Sequence, residues 1–236
     1  MGVFLFSNKR IDAEKVERVF SSRGHKRIAS ETSNAYTLVH ANKVLIDNGN
    51  FLKGNELEGG GNDDFALGIG TYFYDGSYGI DALRKVYNNL EAVLKDNPVY
   101  GQWAFVIRKN KTTYIFNDMS GFMRLFYVVD NDGIIVSSSI VSVISLLEQP
   151  IFDRKRLGGF IASFYCKEIP FVEGVETVDS LKYLKIEDGK SSEWIERDIP
   201  EVPRIETLEE ATKYVKGLFK DQMNQLKAIG DEKISI

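Results

Sequence analysis

The spacing of apolar positions changes character several times along the chain. Val3-Phe4-Leu5-Phe6 is a compact apolar run that predicts a strand near the first residue. Asp12 then offers a helix N-cap, with Ile11 and Val16 spaced as a hydrophobic staple. Val16, Val19 and Phe20 give that helix one apolar side, and Gly24 ends it. Tyr36 to Ile46 is β-prone and only partly alternating. Gly49 to Asp64 is rich in Gly, Asn and acids around Gly59-Gly60-Gly61, and predicts a loop with room to move. Phe65 to Tyr74 predicts a strand. Ile80, Leu83, Val86, Tyr87, Leu90, Val93 and Leu94 then recur at helical spacing.

From Tyr100 the period becomes two. Trp103, Phe105 and Ile107 share one face, and Lys109-Asn110-Lys111 turns the chain into Thr113 to Asn117. Two further strands are predicted at Leu125 to Val129 and Ile134 to Ser138, joined by Asn131-Asp132-Gly133, whose residues tolerate positive φ. Helical patterns cover Ile140 to Leu147 and Asp153 to Tyr165, and short strands Ser180 to Ile186 and Ser192 to Ile195. Pro200 and Pro203 punctuate a linker. Thr207-Leu208-Glu209-Glu210 is a capping box. Behind it Leu208, Ala211, Val215, Leu218 and Leu226 line one side of a helix closed by Gly230, and Lys233-Ile234-Ser235-Ile236 starts an apolar strand. The pattern predicts an α+β layered domain and goes no further.

Composition narrows the class. The chain has 236 residues, 43% hydrophobic and 27% charged, enough apolar material for a substantial core. A net charge of −4 gives no basic footprint for nucleic acid or anionic lipid. No apolar run has the length of a membrane span, and the N-terminal run lacks the basic flank of a signal peptide. A cytoplasmic location is the default expectation, with neither nucleic acid nor membrane as partner. Cys166 is the only cysteine and lies in the apolar stretch Phe164-Tyr165-Cys166-Lys167, so it reads as a buried structural thiol.

Other residues offer little chemistry. His25 and His40 stand 15 residues apart in the sequence without ligand spacing, so no metal site is expected. Gly59-Gly60-Gly61 lacks the Lys-Ser/Thr of a phosphate loop and reads as flexible, and Glu56, Glu58, Asp63 and Asp64 read as a solvated acidic loop rather than a calcium site. Tyr72, Phe73, Tyr74 and Tyr78 read as packing residues.

Three stretches in order carry a resemblance. Tyr100-Gly101-Gln102-Trp103-Ala104-Phe105-Val106-Ile107 resembles the small-Gly-x-Phe-Ala-Phe strand of asparagine synthetases. Asp118-Met119-Ser120-Gly121-Phe122-Met123-Arg124-Leu125-Phe126-Tyr127, followed by Ser137-Ser138-Ser139-Ile140, resembles that family's Asp-Arg-x-Gly-x-x-Pro-Leu-Tyr-Tyr hairpin and Ala-Ser-Glu segment. Phe171 to Leu184 is similar to the run before its inter-domain linker. The hairpin has lost the family's Arg, at Met119, and its Pro, at Met123 or Arg124.

The resemblance implies a four-layer αββα sandwich of the N-terminal-nucleophile hydrolase type, a glutaminase-like domain, over residues 1–199. It implies that residues 200–236 are a linker plus the first helix and strand of a truncated, doubly wound ATP-pyrophosphatase domain. ATP and Mg²⁺ would belong to that missing domain, and none is implied for this chain. The implied partner is the chain's own or a separately encoded synthetase domain, with a homodimer as a further option.

A glutaminase of this type uses the thiol of its first mature residue, with the free α-amine as base. The family begins Met-Cys-Gly, whereas here Met1 directly precedes Gly2, so no catalytic residue is assigned. The family's Asn-Gly-Glu oxyanion element falls near Ile69-Gly70-Thr71 and keeps only the Gly; its Ser-Asp-x-Glu element falls near Asp81. Ile69, Gly70 and Asp81 are thus candidates for a relic glutamine pocket, although an acid at a helix N-terminus accounts for Asp81 as well. The implied function is a glutaminase-inactive amidotransferase domain acting as a scaffold for an amide-forming synthetase. The alternative is a non-catalytic amino-acid-binding or interaction module.

Overall fold

The computed structural model describes residues 2–42, 50–96, 99–163, 170–188, 192–198 and 204–227. Cys166, Pro200, Pro203, Gly230 and the expected strand at Lys233 lie outside them.

In chain order the elements are β1 (Val3–Ser7), α1 (Ala13–Ser22), β2 (Lys26–Thr32), β3 (Thr37–Asn42), β4 (Phe51–Lys53), β5 (Phe65–Tyr74), β6 (Ser77–Tyr78), α2 (Gly79–Asn88), α3 (Leu90–Asp96) and β7 (Tyr100–Lys109). There follow β8 (Thr112–Asn117), β9 (Phe126–Asp130), β10 (Gly133–Ser137), α4 (Ile140–Leu146), α5 (Arg154–Ser163), β11 (Glu176–Thr177), β12 (Lys182–Glu187), β13 (Ser192–Glu196) and α6 (Leu208–Lys227). The strands form two antiparallel sheets. The first runs β11-β9-β10-β1-β3-β2, and the second runs β13-β12-β8-β7-β5-β4 with β6 beside β5.

The period-two pattern decides which side chains go where. Phe4 and Phe6 of β1 meet Leu67, Ile69, Ala104 and Val106 of the other sheet in one buried cluster. Val3 and Leu5, pointing the opposite way, pack with Val16 and Phe20 of α1 and Val143 of α4. On the second sheet Trp103, Phe105 and Ile107 pack with Leu83, Val86 and Tyr87 of α2 and Val93 of α3. The apolar run Val3–Phe6 of β1 is required because both faces of the strand are covered. The expected mixed α+β architecture is therefore present.

Local signals place most boundaries. Asp12 Oδ1 accepts from Lys15 N at 3.1 Å, capping α1 as anticipated. Asn110 and Lys111 sit at φ 53° and 62°, the paired positive values of a tight hairpin turn. Thr207 Oγ1 accepts from Glu210 N at 3.1 Å while Glu210 Oε2 accepts from Thr207 N at 3.2 Å, completing the capping box of α6. The apolar side of α6 is uncovered: Leu208 is 85% and Phe219 64% exposed.

Three expectations need correction. The helical run from Ile80 is two helices, broken at Asn89. Strand β2 has no counterpart in the apolar pattern, because Lys26-Arg27-Ile28-Ala29-Ser30-Glu31-Thr32 is a sheet edge that buries little. The acidic glycine-rich stretch is neither loose nor uniformly solvated. It holds β4 and a 3₁₀ turn at Gly54–Glu56, and a Cβ on Gly54 would lie 1.8 Å from Gly61 O. Asp64, 6% exposed, accepts from Tyr87 Oη at 2.9 Å, Gly61 N at 2.9 Å and Asn110 N at 3.0 Å. One carboxylate thus ties the loop to α2 and to the β7–β8 turn.

Candidate functional site

One end of the space between the sheets gathers two of the three expected pocket residues around the start of β1. Gly2 precedes β1, and a Cβ placed on it would lie 3.2 Å from Ile69 Cγ2, 3.0 Å from Ala41 O and 3.5 Å from Asn50 Nδ2. The approach is set by register: Gly68 N donates to Asn50 O at 2.9 Å, and Ile69 pairs with Ala104. Ser138 follows β10; its Oγ accepts from Phe4 N at 3.1 Å, and its N donates to Phe4 O at 3.2 Å. Ser137 Oγ donates to Phe4 O and shares a 2.8 Å hydrogen bond with Ser142 Oγ. The serine hydroxyls flanking β1 are thus engaged in holding the strand.

Gly70 lies beside Ile69 with φ at +93°, and a Cβ there would sit 2.1 Å from Gln102 O. Gly101, diagonally across at φ +114°, makes the same approach to Thr71 O. Only glycine fits such positions. Met123 Cε lies 2.9 Å from the Cβ position of Gly70, and Met123, 8% exposed, belongs to the same buried cluster as Ile69.

Met123 belongs to the hairpin that carried the resemblance. Asp118, 3% exposed, accepts from Phe122 N at 3.0 Å and Met123 N at 2.8 Å, and Ser120 Oγ donates to it as well. Asn117 Nδ2 donates to Met123 O at 2.7 Å, and Arg197 Nη1 donates to Asn117 O at 2.7 Å. Burial pulls the Arg197 guanidinium down to about 10, with the Asp118 carboxylate acting in the opposite sense.

His40 and Asn50 are the polar groups at this end that the pattern did not single out as a pocket. His40 lies opposite Phe4 and stacks on Phe51 at 4.6 Å between ring centres. Burial drives its imidazole down to about 4, so the ring is neutral near pH 7; Glu31 opposes that shift and Lys53 adds to it. Both ring nitrogens of His40 and Nδ2 of Asn50 are buried without a hydrogen-bond partner. For His40 itself the available sequence signal is its inward parity in a β-prone run.

Asp81 is not part of this cluster. It stands in the first turn of α2, on the other face of the second sheet, 72% exposed and paired with Arg84 Nη1 at 3.0 Å. Among the described residues no three His, Cys, Asp or Glu side chains come together as a metal site, and no helix is long and apolar enough to cross a membrane.

No protein-family model matches the chain, and no curated protein does. Two matching solved structures are a glutamine phosphoribosylpyrophosphate amidotransferase from B. subtilis complexed with ADP and GMP, at TM-score 0.45, and a structure described as the allosteric regulatory enzyme of purine biosynthesis, at TM-score 0.49. Each is 10% identical over 83% of this chain, and this chain spans about half the length of each, 49%.

Proposed function

We propose that this chain is a glutaminase-like domain of an asparagine-synthetase-like amidotransferase that has given up glutamine hydrolysis and serves as a scaffold. In this reading the two sheets and their helices are the αββα sandwich of the N-terminal-nucleophile type. Residues 200–236 lead into a synthetase domain, own or separately encoded, which would bind ATP and Mg²⁺ and form an amide from ammonia or another amine. The supporting observation is the chemistry at Gly2. Gly2 carries no side chain, and the neighbouring position that the resemblance assigns to an oxyanion donor is the apolar Ile69, whose Cγ2 lies 3.2 Å from where a Cβ on Gly2 would sit. Thiol attack on an amide needs a nucleophile, a base and N–H donors in register, and an isoleucine methyl group supplies none of them.

The expected result is no ammonia release from glutamine above that of a Cys166→Ala variant. Release well above that control would end the proposal.

A second reading has its own observation. The unpartnered nitrogens of His40 and Asn50 are groups that a bound small molecule could satisfy. On that reading the domain is an amino-acid-binding module. Calorimetry with glutamine and glutamate should then show saturable heat that His40→Phe removes; no heat with either would reject it.

A further inference from the structure

Helix α6 carries an apolar seam that this chain leaves open. Leu208, Val215 and Leu218 are exposed along one side, with the half-buried Ala211 among them. Their spacing of three, four and three residues is that of the two core places of a coiled-coil heptad, a narrow seam whose natural seat is another helix. Phe219 widens the seam on one side, and Gln222 takes the next core place and ends it. The capping box at Thr207 and Glu210 fixes where the helix starts, so these side chains hold one line.

The seam is complementary to itself. Turning a second α6 end for end about the level of Lys213 sets Leu208 against Leu218 and Ala211 against Val215, each pair twice. Charge follows the same symmetry with its sign reversed. Glu206, Glu209 and Glu210 precede that level, whereas Lys216, Lys220 and Lys227 follow it, with Asp221 the one acid among them. Antiparallel placement brings each acidic end beside a basic one and opposes the two helix dipoles; parallel placement sets like against like. A contact of this kind uses the same patch on both copies, so the assembly closes at two. The matched stretch, Leu208 to Leu218, is three turns, about 16 Å, which suits a reversible dimer and not an obligate one.

We propose that the exposed face of α6 is a homodimer interface, in which two copies of this chain pair their α6 helices antiparallel along the seam from Leu208 to Leu218. The pairing goes beyond the scaffold and binding-module readings and needs neither. It does require this face to be free, so a synthetase domain seated on it is the rival occupant.

The test is sedimentation equilibrium of the full chain. A reversible dimer is expected, and Val215→Glu or Leu218→Glu should return it to monomer. Both side chains are exposed in their own copy, so urea unfolding of the monomer should not change. A chain that stays monomeric into the millimolar range overturns the proposal, and is the result expected if a synthetase domain is what covers this face. A dimer that both substitutions leave intact is held by another surface and overturns it as well. Orientation is read with a short bismaleimide in a Cys166→Ala background. Leu208→Cys and Leu218→Cys should couple to each other when mixed, and neither to itself, because ten residues of helix, about 15 Å, separate like positions in the antiparallel pair. Coupling of Leu208→Cys to itself would mean parallel helices and would sink the proposed arrangement.

Discussion

Removing the Asp188 carboxylate should cost this fold more than any other single ion-pair deletion the structure displays. Arg108 is 2% exposed, yet its Nη1 and Nη2 donate to Asp188 Oδ1 at 2.8 Å and Oδ2 at 2.6 Å, a two-pronged pair. Burial works against the guanidinium charge, and the Asp188 contacts more than offset it, holding Arg108 above its ordinary range. In Asp188→Ala the cation keeps, among the described residues, a 3.3 Å hydrogen bond to Thr113 Oγ1 and the Tyr36 ring, 5.0 Å away. Breaking a buried pair from one side costs about 3–5 kcal/mol. Asp188 is itself 30% exposed, so water can enter the vacancy and the expected loss falls to about 2–4 kcal/mol. For a chain of this size that lowers Tm by roughly 5–15 °C, measured by calorimetry. Arg108→Met combined with Asp188→Ala should be more stable than Asp188→Ala alone, because no charge is left stranded. The Arg108 hydrogen bond pulls the Asp188 carboxyl below its ordinary range, so the group is stabilising above an unfolded pKa of about 3.9. The stability gap between wild type and Asp188→Ala should therefore close as pH falls through the lowered native pKa. A loss under about 0.5 kcal/mol at pH 7, or a double variant less stable than the single one, would refute the account.

Three other outcomes follow from single residues. Asp64→Ala strands three donors and should cost about 2–4 kcal/mol in urea unfolding, with amide exchange rising first at Gly61 and Asn110. Gly70→Ala forces a Cβ to within 2.1 Å of Gln102 O at φ +93°, and should lose at least about 2 kcal/mol by the same assay; a loss under about 0.5 would mean β5 and β7 part easily. His40 has its native pKa lowered from 6.5 to about 4, so the unfolded chain binds the extra proton between those values. Stability is then fully present above pH 6.5 and falls by up to about 3 kcal/mol as the pH is lowered to 4, a slope that His40→Phe should remove.

The apolar period revealed the fold wherever burial is one-sided or complete. Trp103, Phe105 and Ile107 were readable as a face because α2 and α3 cover one side of β7. β2 was not readable, since an edge strand gains its stability from the ladder to β3 and needs few apolar side chains. The loop before β5 misled for a different reason. Gly54, Gly60 and Asp64 look like a solvated tract, but the glycines are there because backbone passes against backbone, and the aspartate because three donors converge on it. The Arg108–Asp188 and Arg197–Asn117 contacts each join residues 80 apart, a separation that no local pattern encodes.

The same distinction governs what the end of the sheet gap can say about function. Gly70 matches a motif, yet Gln102 O and a positive φ demand glycine there whether or not anything binds. Its presence therefore carries no information about glutamine. Asp81 is explained by the positive end of α2 and by Arg84. Ile69 is different: it buries an apolar side chain at a position the backbone leaves free to vary, beside a residue with no side chain at all. His40 and Asn50 are different in the opposite sense, because burying unpartnered nitrogens costs stability that the strand pairing does not return. This end thus presents one buried apolar residue, Ile69, and two buried polar ones, His40 and Asn50, whose unpartnered nitrogens packing alone does not explain. Substitutions at those three positions separate a scaffold, which should tolerate apolar replacements at His40 and Asn50, from a binding module, which should not.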